Sequence, residues 1–212
     1  MEKGVSDNCC SPLHGRGGGA TDASGEVYGL ILSGGLSTRM GEDKRLIHYH
    51  EKSQEEYIFE SLSPYCSEVY VSLNKNQTTI LPHIFDTNLP IKSPIVGILS
   101  AFDKHPEMAW LVVACDMPFV NQEVIKYLIK HRNPAKFATA FINPEEQFPE
   151  PLLTIYEPKI FQKLQEAVKQ GKKSPMKVLQ RLEVELLEVI DNEMLMSVNT
   201  VLERERITNN PK

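Results

Sequence analysis

No stretch of this chain approaches the run of about 20 apolar residues that a membrane-crossing helix needs, so none is expected. Positive charge is also in deficit: 23 Lys and Arg face 28 Asp and Glu, a formal net charge of −5, which argues against a general nucleic-acid-binding face. The four cysteines, Cys9, Cys10, Cys66 and Cys115, show no metal-type spacing. The beginning of the chain lacks the apolar core of a secretory leader, so free thiols in a reducing cytoplasm are expected. Two phosphate-loop patterns are missing as well. There is no G-x-G-x-x-G, and the Walker pattern fails because Gly41 is followed by Glu42 and Asp43 instead of Lys and Ser or Thr.

What remains is the composition of a globular protein: 212 residues, 41% hydrophobic and 24% charged, enough for one α/β domain with a proper core. Residues 1–26 hold Gly, Ser and Asp but few apolar side chains, and such a segment cannot bury enough surface to offset its ordering entropy. They read as a disordered tail; a metal or redox site built from Cys9, Cys10 and His14 is the alternative. A domain is expected over 27–207 and a short tail over 208–212.

Within 27–207, short apolar runs alternate with segments of helical period, the pattern of βαβ units. Strands are predicted at "VYGLIL" (Val27–Leu32), "EVYVSL" (Glu68–Leu73), "HIFD" (His83–Asp86), "AWLVVACD" (Ala109–Asp116), "KFATAFI", "PLLTIYE" and "VELLEVI". Helices are predicted at Gln54–Tyr65, Pro94–Lys104, Asn121–Arg132, Pro158–Gly171 and Ser174–Leu182, with a last helical face at "ERER". The expected fold is α/β: a three-layer, Rossmann-like arrangement with a mainly parallel central sheet.

One stretch demands chemistry. "LILSGGLSTRMGEDKRL", Leu30–Leu46, ends a strand on Gly34 and Gly35 and then presents Arg39 and Lys44. Without Cβ atoms the backbone N–H groups can approach a phosphate or base edge closely, and Arg and Lys then supply positive charge where phosphates would lie. A surface loop with a neutralised "EDKR" run is the bland reading. The second element is "CDMPF", Cys115–Phe119: a carboxylate, Asp116, at the C-terminal end of a buried strand suits Mg²⁺ on substrate phosphates, although a turn aspartate before Pro118 is the favoured reading when the motif is taken alone. Asp86 could accept base N–H groups or simply start a turn, and Asn199 with Thr200 could cap the segment that follows.

Taken together these motifs resemble the molybdenum cofactor guanylyltransferase family, within the GT-A-like nucleotidyltransferases. The family's opening L-A-G-G-x-S-x-R-M-G-x-D-K-x-L appears as "LSGGLSTRMGEDKRL", with Ser33 for alanine. "SPIVGILSAF" resembles its G-P-L-x-G segment, "CDMPF" its C-D-x-P segment and "SVNTVLE" its N-x-N-T-P-E segment, in the same order. Departures are also visible. Ser72 stands where relatives often carry a nucleotide-contacting Asn, "HYHEKSQEEY" replaces N-G-K-P-L, and the proline after Asn199-Thr200 is missing.

The resemblance implies that Leu32, Ser33, Gly34, Gly35, Lys44 and the Ser72 position contact GTP, that Asp86 helps recognise guanine, and that Asp116 binds Mg²⁺ with Asn199 near the metal and the pterin phosphate. Arg39, Lys44 and Asp116 become the implied catalytic set. The implied reaction is GMP transfer from Mg-GTP to molybdenum-molybdopterin with release of pyrophosphate. Implied partners are molybdenum insertion proteins or apo-molybdoenzymes, not nucleic acid or membrane. Rival readings are a nucleotidyltransferase of this fold using CTP or a sugar phosphate, and a non-catalytic nucleotide-binding adaptor.

Overall fold

The computed structural model describes residues 25–33, 43–49, 51–191 and 193–198. Seven strands form one sheet in the order β3-β2-β1-β4-β6-β5-β7. The first half is parallel: β1 (Val27–Leu32) lies between β2 (Glu68–Leu73) and β4 (Ala109–Ala114), and β3 (His83–Phe85) adds to the outside of β2. In the second half β6 (Pro149–Tyr156) runs antiparallel to both β4 and β5 (Ala138–Ile142), and β7 (Val184–Leu187) pairs in parallel with β5. The sheet is thus mainly parallel with one reversed strand inserted.

Helices cover both faces. Along β4, Leu111 and Val113 pack with Ile58 and Leu62 of α1 (Gln54–Leu62) and Ile125 and Leu128 of α3 (Gln122–Lys130). Trp110 and Val112 point the other way, toward Ile98 and Phe102 of α2 (Ile95–Lys104), Leu164 of α4 (Phe161–Lys169) and Val178 of α5 (Pro175–Leu179). Every residue of β4 is buried, as a central strand with helices on both sides requires.

The helix ends follow local chemistry. Ser53 and Glu56 form a reciprocal capping box at α1, and Asn121 Oδ1 accepts the N–H groups of Glu123 and Val124 at α3. Just past α4, Gly171 takes a φ of +75°, a left-handed conformation that glycine adopts without steric cost. The predicted elements end a few residues early or late, as at α1, which stops at Leu62 instead of Tyr65.

Two features hold the layers in register. Arg132 makes a two-pronged bond to Glu157, Nε to Oε1 at 2.7 Å and Nη2 to Oε2 at 2.8 Å, with the side chains only 6% and 3% exposed. Its remaining Nη1 donates to the carbonyl of Gly25, so one guanidinium joins the end of α3, the end of β6 and the entry to β1. At the opposite edge of the sheet, Gly97 in the first turns of α2 presses on β1 and β2: a Cβ there would stand 2.5 Å from Ser72 Oγ and 2.7 Å from Leu32 Cδ2. Gly97→Ala is therefore expected to cost about 1–3 kcal/mol through overpacking, read as a lower melting temperature.

Candidate active site

The parallel strands β1, β2, β3 and β4 all finish at one edge, where open α/β sheets place their ligands. Pairing brings Leu32 level with Ser72 on one side and with Ala114 on the other, so the residues that follow each strand converge. Asp116 lies two residues past β4, and Lys44, in a 3-10 turn Lys44–Leu46, reaches it: Nζ to Oδ2 is 3.2 Å. Two motifs that are 72 residues apart thus meet in one part-buried ion pair.

The other Asp116 oxygen, Oδ1, is buried and has no hydrogen-bond partner among the described residues. A buried carboxylate oxygen left this way costs free energy, and a bound ion is one partner that would satisfy it. Mg²⁺ takes one or two carboxylates and completes its shell with water and phosphate, and this oxygen fits such an ion. Among the described residues no group of three or more His, Cys, Asp or Glu could hold a metal on its own.

The loop around Asp116 is tied down from three directions. Gln54 Nε2 donates to the Met117 carbonyl at 3.3 Å, Cys115 N–H to the Leu32 carbonyl at 3.1 Å, and Val198 N–H to the Asp116 carbonyl at 2.8 Å. Val198 also packs with Ile47 and Tyr49. Cys115 packs in the core, and burial, with the charge of Asp116 adding to it, pushes its thiol up. Burial pushes Cys66 up to about 12 for the same reason. Glu150, at the start of β6, is raised above the usual carboxylate range first by burial and then by the Asp116 charge.

On the same sheet edge, past the end of β3, opens a cleft of about 650 Å³, lined by Asn74, Asp86, Asn88, Lys92 and Pro94 among others. Asp86 follows β3, and its Oδ1 accepts the Ser72 hydroxyl at 2.5 Å. Burial raises its carboxyl above the ordinary range, and the Ser72 hydrogen bond acts against that rise. Ser33 donates its hydroxyl to the Ser72 carbonyl.

Of the residues singled out from the sequence, Leu32, Ser33, Lys44, Ser72, Asp86 and Asp116 lie along this one edge. Gly34, Gly35, Arg39 and Asn199 lie outside the described residues, as do residues 1–24 and the "ERER" segment. Sequence reasoning missed Arg45. In "EDKR" it reads as solvated, but it is 4% exposed, with Nε on Asp43 Oδ2 and Nη1 on Glu55 Oε2, both at 2.8 Å. Those hydrogen bonds to carboxylates outweigh burial and raise its pKa further. Arg45 fastens the 3-10 turn to α1 and so helps aim its neighbour Lys44 at Asp116.

A charged pair where parallel strands end, on the same edge as a cleft large enough for a nucleoside, is an arrangement that suits a nucleotidyltransferase. The chain belongs to the MobA-like NTP transferase domain family, whose model matches residues 29–186. A molybdenum cofactor biosynthesis bifunctional protein of Synechocystis sp. is 35% identical over 176 residues, 81% of this chain and 50% of that protein, so the chain spans about half the length of that relative. The molybdenum cofactor guanylyltransferase of Pseudomonas putida is 26% identical over 174 residues, covering 79% of this chain and 90% of its own. The crystal structure of molybdopterin-guanine dinucleotide biosynthesis protein A from Archaeoglobus fulgidus superposes with a TM-score of 0.71 at 26% identity, over 86% of this chain and 97% of that one.

Proposed function

We propose that this chain transfers GMP from Mg-GTP to molybdenum-molybdopterin, forming the guanine dinucleotide cofactor and releasing pyrophosphate. The observation that carries the reading is the Lys44–Asp116 pair with its open Asp116 Oδ1, set on the same sheet edge as the cleft holding Asp86. The names of the relatives support the choice of substrates. Such a reaction fits a cytoplasmic protein that hands its product to molybdenum insertion proteins or apo-molybdoenzymes.

The acceptor phosphate is already anionic, so one of its oxygens forms the new bond to the α-phosphorus of GTP without a strong base, while the bond from that phosphorus to pyrophosphate breaks. The protein's task is alignment and charge. Asp86 accepts the N1–H and 2-amino groups of guanine. The backbone of Leu32 and Ser33 meets the nucleotide, and by resemblance Gly34, Gly35 and Arg39 continue that contact along the phosphates. Lys44 meets the negative charge that builds on the leaving pyrophosphate. Mg²⁺, when bound, neutralises phosphate charge and polarises the reacting group, with Asp116 and, by resemblance, Asn199 as its protein ligands.

Incubation with Mg²⁺, GTP and molybdenum-molybdopterin should yield the dinucleotide and pyrophosphate in equal amounts. Equal use of CTP would move the reading to another base, and tight GTP binding with no pyrophosphate release would favour a nucleotide-binding adaptor. Lys44→Ala is expected to lower kcat on the order of 10²-fold, measured as pyrophosphate release, because one preorganised positive donor is lost.

A further inference from the structure

We infer that Ser72 is a positioning residue for base selection: it holds Asp86 as an oriented, acceptor-only carboxylate and ties it to the strand end that leads into the phosphate loop. The inference rests on the reading of Asp86 as the guanine acceptor. Ser72 is itself 1% exposed, at the end of β2, so it acts on a ligand through Asp86.

A serine hydroxyl has one proton to give. Ser72 spends it on Asp86 Oδ1, so the carboxylate is held as an acceptor and its plane is fixed. The backbone is pinned at the same point, with Asp86 N–H on the Leu73 carbonyl at 2.8 Å and Thr87 N–H on Ser100 Oγ of α2 at 2.8 Å. Ser72 in turn has little freedom: Ser33 donates to its carbonyl, and α2 closes over its hydroxyl at Gly97, where a Cβ would stand 2.5 Å away. A fixed, ionised carboxylate accepts two parallel N–H groups, which guanine presents through N1–H and its 2-amino group. Hypoxanthine, lacking that amino group, presents only one. Ser72 therefore contributes to the distinction between the two bases without touching either.

The test is equilibrium binding of GTP and of ITP, each with Mg²⁺ and without acceptor, to the full chain and to Ser72→Ala, with melting temperatures recorded. Wild type is expected to bind GTP more tightly than ITP, and Ser72→Ala to lose roughly tenfold in GTP affinity with a much smaller loss for ITP, so that the ratio falls.

A second readout is pH. GTP binding needs the ionised carboxylate, so it is complete above the Asp86 pKa and lost as pH falls through it. Ser72 opposes the upward shift caused by burial, so in Ser72→Ala the acid loss must begin at higher pH. Lys75 and Lys92 line the same cleft, while Leu32 and Ser33 of the β1 end and Val96, Gly97 and Ser100 of α2 carry no charged side chain.

Gly97→Ala, which pushes directly on Ser72 Oγ, must move the ratio in the same direction and serves if Ser72→Ala does not fold. An unchanged GTP-to-ITP ratio and acid limb in folded variants overturn the positioning role alone. Equal wild-type binding of GTP and ITP overturns the reading of Asp86, and this inference with it. Selective GTP binding without transfer would sink the proposed reaction and leave the role of Ser72 standing.

Discussion

Replacing Asp116 with alanine is expected to lower kcat by on the order of 10³-fold, the largest functional effect of any single change at this site. Two losses coincide. On the proposed reading, Oδ1, which has no hydrogen-bond partner among the described residues, holds Mg²⁺, and Oδ2 is the oxygen that Lys44 meets. The fold itself should persist, because the bond that anchors the C-terminal segment here runs from Val198 N–H to the Asp116 carbonyl, which alanine retains. Pyrophosphate release under saturating Mg-GTP and molybdenum-molybdopterin, compared with the melting temperature of the same variant, separates the two. A folded alanine protein within tenfold of wild type would remove Asp116 from the chemistry.

For stability the largest loss should come from Arg132→Ala, at about 3–5 kcal/mol in urea unfolding. The guanidinium and the Glu157 carboxylate are both nearly inaccessible, and removing one strands a charge in the interior beside a vacated cavity. The Gly25 carbonyl loses its donor as well. Two apolar residues of similar volume avoid the stranded charge, so Arg132→Met combined with Glu157→Met should regain most of that loss. If the double variant is no more stable than Arg132→Ala, the pair holds the layers in a way that packing alone cannot replace.

The strands were the most legible part of the chain. β1 and β2 run over the expected Val27–Leu32 and Glu68–Leu73 because continuous apolar runs bounded by polar residues leave few alternatives. The reversal of β6 was not legible. Its residues carry the same apolar signal in either direction, and the choice depends on which neighbour covers it. In the site, Lys44, Asp86 and Asp116 stood out as charged groups beside glycine and strand ends, yet nothing in the pattern shows that Lys44 and Asp116 pair. Arg45 was hidden because its burial depends on Glu55 facing it from α1. The Ser33–Ser72–Asp86 chain was hidden too, because a serine at a strand end looks the same whether it meets water or a carboxylate.

The hydrogen bond from Val198 to Asp116 also makes the loop after β4 depend on a segment that belongs to no strand or helix. Lys44, Asp116 and Val198 come from widely separated points of the chain, so this corner of the sheet edge closes only through long-range contacts. A chain shortened to end just after β7 would keep all seven strands and lose this anchor, and local opening of the Asp116 loop should then become easier while the sheet stays paired.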